Sequence, residues 1–186
     1  MKRYIKNFML FISAFVPLYF LIELNLIFEI INGNLHFNIL NTFLLLFLFL
    51  LIIVGICGAM ITLKTKNKKP TRIKIIKQRN ITDQHFFGYF SIFVLFALSY
   101  DLSKISMTIV FICILTFIGI VYIENELYYI NPFLNLIGYG FYKVTYIEED
   151  DNTPKETNIF YHGKIELNQF YKVYHKMNNL SFLSKK

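Results

Sequence analysis

Glu23 is the residue whose type and place most invite chemistry. It lies inside an apolar run from Phe8 to Ile30, and a carboxylate at mid-bilayer serves by default as an ion or proton site. About 20 residues cross a hydrocarbon core, and counting inward from Lys6 puts the far boundary near Leu26. Glu23 then sits within a turn of the outer headgroups, where water or an interhelical hydrogen bond can hold its charge. With Asn25 it forms a candidate membrane-embedded polar site. Glu29 lies further out, in solvent.

The other reactive types do not converge. His36, His85, His162 and His175 have neither helical nor zinc-finger ligand spacing, and neither cysteine, Cys57 or Cys113, is near them. Both cysteines lie in apolar runs, which suits small buried side chains and offers no disulfide framework. Gly138-Tyr139-Gly140 lacks a third glycine, and it opens a strand instead of a helix, so it is no phosphate loop. Glu148, Glu149, Asp150 and Asp151 are contiguous in a turn, the pattern of a solvated loop and not of a spaced acid/base pair. No nucleophile has a partner at a recognisable spacing. The expectation is a non-enzymatic chain with no metal and no cofactor.

The charges that remain are cationic. Of a net charge of +7 over 186 residues, Lys64, Lys66, Lys68, Lys69, Arg72, Lys74, Lys77 and Arg79 fall in one stretch. Such a cluster first suggests nucleic acid or anionic lipid, but the elements around it give a topological reason. The chain is 55% hydrophobic and only 17% charged, its mean hydropathy is +0.48, and the apolar residues come in blocks. That blocking marks a bilayer as solvent.

Four blocks qualify as spans, at about 8–30, 39–63, 85–102 and 105–123, within a membrane region 1–123. The first is too long for a signal peptide and no cleavage site follows it, so it reads as retained. Pro17 inside it predicts a kink. Lys2, Arg3 and Lys6 and the loop 64–84 carry the basic residues, while the outer connection Asn32-Gly33-Asn34-Leu35-His36 carries none. The positive-inside rule then places both termini and the basic loop in the cytoplasm of a multi-pass inner-membrane protein. Gly55, Gly58 and Ala59 give the second span a small-residue face for either an intrachain or an oligomer contact.

Within the basic loop, TRIKIIKQRNIT alternates with period two, which suits a short strand paired with the tail or a stretch lying on anionic headgroups. The tail, residues 124–186, predicts a small β-rich cytoplasmic domain. INPFLNLIGYGFYKVTYI runs from an Asn-Pro turn into a strand, EEDDNTP turns, and ETNIFYHGKI returns as a second strand. LNQFYKVYHKMNNLSFLSKK suits a short helix and then a strand. The fold class expected is thus an all-α transmembrane bundle of four helices with a small β-rich C-terminal domain.

TRIKIIKQRNITDQHFFGYFSIFVLF, a basic strand leading into a span, and INPFLNLIGYGFYKVTYI, an N-P-hydrophobic segment followed by G-Y-x-x-Y-x-V, resemble the KwaA family, the membrane subunit of the Kiwa anti-phage defence system. The similarity covers about Thr71 to Ile147. It implies a homo-oligomeric, tetrameric inner-membrane protein that holds a soluble DNA-binding partner subunit on its cytoplasmic face, without binding nucleic acid itself. It carries no catalytic residue. The docking candidates are the eight cations of the basic stretch, from Lys64 to Arg79, and Tyr139, Phe141 and Tyr142 of the following strand, since strand edges recruit partners by backbone pairing. The alternative is a small pore-forming effector lined by Glu23, Asn25, Asn41 and Thr62.

Overall fold

The computed structural model describes residues 2–36, 38–64, 70–82, 91, 95, 104–125, 127, 131–149, 151–177 and 180–184. The third expected span, 85–102, lies outside them except at two positions.

Helix α1 (Lys2–Ala14) and helix α2 (Val16–Ile31) form a pair broken at Phe15. From Asn7 onward the two are bent by 47°. Pro17 falls in the first turn of α2, where its missing N–H would be unpaired in any case, so the ring sets the restart of the helix without costing a bond. Helix α3 (Ile39–Lys64) packs along both. The contact depends on glycine: a Cβ at Gly58 would lie 2.7 Å from Met9 Cβ and 3.0 Å from the Met9 carbonyl oxygen, and one at Gly55 would lie 2.5 Å from Val16 Cγ2. The small-residue face of this span is thus spent within the chain, against the break between α1 and α2. Helix α4 is Ile105–Glu124. Among the described residues two helices, α3 over Ile39–Ile61 and α4, are long and apolar enough to cross a membrane, and the bent pair makes a third if it is one span.

The rest is β. Strand β1 (Thr71–Asn80) comes from the basic loop. A five-residue helix α5 (Pro132–Leu136) precedes β2 (Tyr139–Glu148), β3 (Asp151–His162), β4 (Phe170–Met177) and β5 (Leu180–Ser184). These strands close into a barrel in the order β1-β2-β3-β5-β4. The β3–β5 pair is parallel and the others are antiparallel. That connectivity is the one found in OB-type Greek-key barrels, a statement about fold and not about function. Here the connection from β1 to β2 contains α4 and α5.

This corrects the expected class: the chain is mixed α/β, not an all-α four-helix bundle with a separate β-rich tail. The barrel takes its first strand from between the apolar helices. Alternation in Thr71–Asn80 makes that segment a better strand than loop, and pairing on both sides satisfies its backbone groups. The segment around Phe170–Met177 is a strand, not the helix expected, because Tyr171 and Val173 alternate into the core while Phe170 and Lys172 point away.

The barrel interior is filled by Ile73, Ile75, Val144, Tyr146, Ile159, Tyr171 and their neighbours. A second set faces outward and is buried too. Phe141, Phe160 and Phe182 are 2%, 0% and 5% exposed, have ring centroids 5.0 Å (Phe141 to Phe160, tilted) and 5.6 Å (Phe160 to Phe182, stacked) apart, and belong to the apolar cluster that includes Leu10, Phe15, Tyr19, Leu48 and Phe111 of the helices. Barrel and helices thus share one continuous core.

Candidate functional site

Strand β1 enters the barrel with its odd-numbered residues, Ile73 and Ile75, inside. Strict alternation would then send Lys77 and Arg79 into the same interior, where unpaired charge is prohibitive. A bulge between Ile75 and Lys77 switches the parity. Lys77 comes opposite Thr145 and Arg79 opposite Lys143, on the solvent side, and Gln78 falls opposite Val144. The Gln78 amide donates to the Ile165 carbonyl at 3.1 Å.

The outer face so formed runs across β4, β1 and β2 and is cationic. Arg72 and Lys74 come from β1 before the bulge, Lys77 and Arg79 after it, Lys143 from β2 and Lys172 from β4. Two register pairs oppose like charges: Arg79 with Lys143, and Arg72 with Lys172. Such pairs destabilise a sheet by themselves. Partial compensation comes from Glu149, whose Oε1 lies 3.1 Å from Arg72 Nη1, and from Glu156, whose Oε2 lies 2.9 Å from Lys143 Nζ. All four groups are well exposed, so each pair contributes little to stability. Lys74, Lys77, Arg79 and Lys172 have no ion-pair partner among the described residues.

The structure distributes the other expected docking residues differently. Lys64 ends α3, and Lys66, Lys68 and Lys69 lie outside the described residues. Tyr139 is half-buried, its ring edge-on to His162 at 5.3 Å. Phe141 is buried in the core shared with the helices. Tyr142 lies in the barrel core and donates to the Gly163 carbonyl at 2.9 Å. Burial, and secondarily Tyr161, hold its phenol above the ordinary range. Backbone pairing is closed to a partner along β2 and along β1 from Ile73 to Ile75, which are hydrogen-bonded on both sides, whereas β1 after the bulge is paired with β2 alone among the described strands. Recognition around Lys74 and Lys172 therefore falls to side chains.

Glu23 and Asn25 are half-buried on α2. Asn41 is partly occupied at the start of α3: its N–H donates to Asn38 Oδ1 at 2.8 Å and its Nδ2 to the His36 carbonyl at 2.9 Å, while its buried Oδ1 accepts no bond among the described residues. No group of three or more metal-ligating side chains occurs among the described residues.

Lys143 and Lys172 escaped sequence reasoning, although both stand at alternate positions in Tyr- and Val-rich strands, a signal that was available. Asn131 escaped it as well. Its Oδ1 accepts the Leu134 N–H at 3.1 Å and so caps α5, while its Nδ2 donates to Ser13 Oγ at 2.8 Å.

No curated protein and no solved structure matches the chain. Residues 6–182 match the family model for anti-phage protein KwaA. That match takes in the bent helix pair, α3, the basic strand and the barrel, so the chain acts in anti-phage defence and belongs to the KwaA family of anti-phage proteins.

Proposed function

We propose that the chain is the membrane sensor and scaffold subunit of the Kiwa two-component system, holding a cytoplasmic DNA-binding effector against the inner membrane and catalysing no reaction itself. One observation carries this reading. The barrel is closed by a strand from the loop between apolar helices, and its outer aromatic face is fused to the helix core. A displacement of the helices in the bilayer must therefore reach the barrel and whatever the barrel holds.

The same pairing supports a four-span path with both termini in the cytoplasm. β1 and β2 lie side by side from Ile73–Glu148 to Asn80–Tyr142, so both are on one side of the bilayer. The chain between them must cross an even number of times. α4 is apolar and long enough for one crossing, and the apolar block of the sequence at 85–102 matches the other. The basic residues of β1 put that shared side in the cytoplasm. By the family resemblance the unit is a homotetramer, which multiplies the docking surface.

Co-purification of the effector subunit with the detergent-extracted chain tests the reading. Recovery should fall to background when residues 139–184 are removed, and recovery equal to that of the full chain would overturn it.

A further inference from the structure

The cationic face has an apolar centre. Among the described barrel residues, the exposed large apolar side chains are Leu167 and Phe170, at 50% and 47%. Both border β1. Phe170 stands opposite Lys74 in the β1–β4 register, and the turn that holds Leu167 is tied to β1 by the Asn168 N–H donating to the Ile75 carbonyl at 2.8 Å. Asn168 takes a φ of 61° there, so the backbone is committed to that turn, at some conformational cost for a residue other than glycine. Lys74, Lys77 and Lys172 surround this centre.

We infer that this face, Leu167 and Phe170 ringed by Arg72, Lys74, Lys77 and Lys172, is the docking surface for an acidic protein surface bearing an apolar pocket. The inference rests on the scaffold reading above and names the chemistry of its contact. An aromatic anchor inside a polar rim is the anatomy of a protein hot spot. Two like-charged register pairs cost the barrel stability, exposed carboxylates offset them only in part, and a local rule broken without full compensation points to function. An acidic partner removes the repulsion and adds steering. Nucleic acid fits less well. Leu167 has no face on which a base can stack. Bilayer headgroups fit less well again, because the aromatics packed against the helices, Phe141, Phe160 and Phe182, come from β2, β3 and β5, whereas the face described here is built on β1 and β4.

The test measures binding of the purified effector subunit to the full-length chain in lipid nanodiscs. Wild type should bind and should lose affinity at least tenfold as salt rises, whereas Phe170→Ala and Lys172→Glu should each weaken binding at least tenfold at low salt. Lys104→Glu, the same charge change at the start of α4, should leave it unchanged. Circular dichroism matching wild type checks that the barrel is intact in each variant. Equal binding by wild type, Phe170→Ala and Lys172→Glu would overturn this inference and leave the scaffold reading standing. No binding by wild type would overturn both. Binding of a duplex DNA by wild type without the effector, lost in Lys172→Glu, would make the occupant nucleic acid and overturn the inference.

Discussion

Asn131 and Ser13 are joined by a hydrogen bond of 2.8 Å from Nδ2 to Oγ, with both residues at 0% exposure and 118 positions apart in sequence. Ser13 Oγ passes the bond on to the Leu10 carbonyl at 2.7 Å. Ser13 lies next to the break between α1 and α2, and Asn131 caps the short helix that feeds β2. One amide thus bolts the bend of the first helix pair to the root of the barrel. Asn131→Ala should remove the cap and leave the Ser13 hydroxyl short of a donor, at a cost of about 2–4 kcal/mol. Ser13→Ala should cost about 1–2 kcal/mol. Thermal unfolding in detergent would rank them, and a double variant no less stable than Asn131→Ala would show that the two residues act as one unit.

Glycine at 58 admits the α1 backbone. Gly58→Leu should push α3 off Met9 and lower stability by about 2–3 kcal/mol or more, since the obstructing atoms include main chain. Because that face is used inside the chain, oligomer size on native electrophoresis should not change at temperatures where the variant stays folded. A loss of oligomer without loss of thermal stability would contradict the packing.

Phe160 is an outward-facing barrel residue with no exposure. Phe160→Ala should cost about 3–5 kcal/mol and should expose the barrel to protease while the helices remain intact. The interior change Ile159→Ala should cost about 2–5 kcal/mol through the barrel alone. Equal protease resistance in wild type and Phe160→Ala would mean that the barrel is not docked through this face.

The β2–β3 turn makes a prediction about acid. The Thr153 N–H donates to Asp151 Oδ1 at 3.0 Å and Lys155 Nζ lies 3.1 Å from Oδ2. These hold the Asp151 carboxyl down at about 2, from an ordinary 3.8. Asp151, and secondarily Glu148, hold the Lys155 ammonium above its ordinary range. A folded-state value below the unfolded one stabilises above the ordinary value and is lost as pH falls through the depressed one. The barrel should therefore lose this contribution as pH drops from about 4 to about 2, and Asp151→Asn should flatten that stretch of the melting-temperature profile.

Much of this architecture is visible in residue order. The apolar blocks mark α3 and α4, Pro17 marks the bend, and the alternation of Ile73 and Ile75 with Arg72 and Lys74 marks β1. The tight run of Tyr, Phe and Val after Gly138 marks β2. Other features are non-local and leave no periodic trace. Closure of the barrel depends on β1 meeting both β2 and β4, and on Ile159 and Phe160 pairing in parallel with Ser181 and Phe182. The bulge at Ile76 depends on where the cations must go, not on a bulge-forming glycine. Phe141, read as an exposed docking residue, is instead buried because Phe160 and Phe182 come beside it from 19 and 41 residues later. The candidate site was legible in half: the β1 cations stood in a run, whereas Lys143, Leu167, Phe170 and Lys172 join them only through strand pairing.

The central claim is that the basic loop and the tail form one barrel on one side of the membrane. Cysteines placed at Lys77 and Thr145, in a chain with Cys57 and Cys113 replaced by alanine, stand directly opposite in the register, within disulfide reach. Mild oxidation of inside-out membrane vesicles should link them within a single chain and in high yield, sealed right-side-out vesicles treated with a membrane-impermeant oxidant should not link them, and failure to cross-link in the inside-out vesicles would contradict the account.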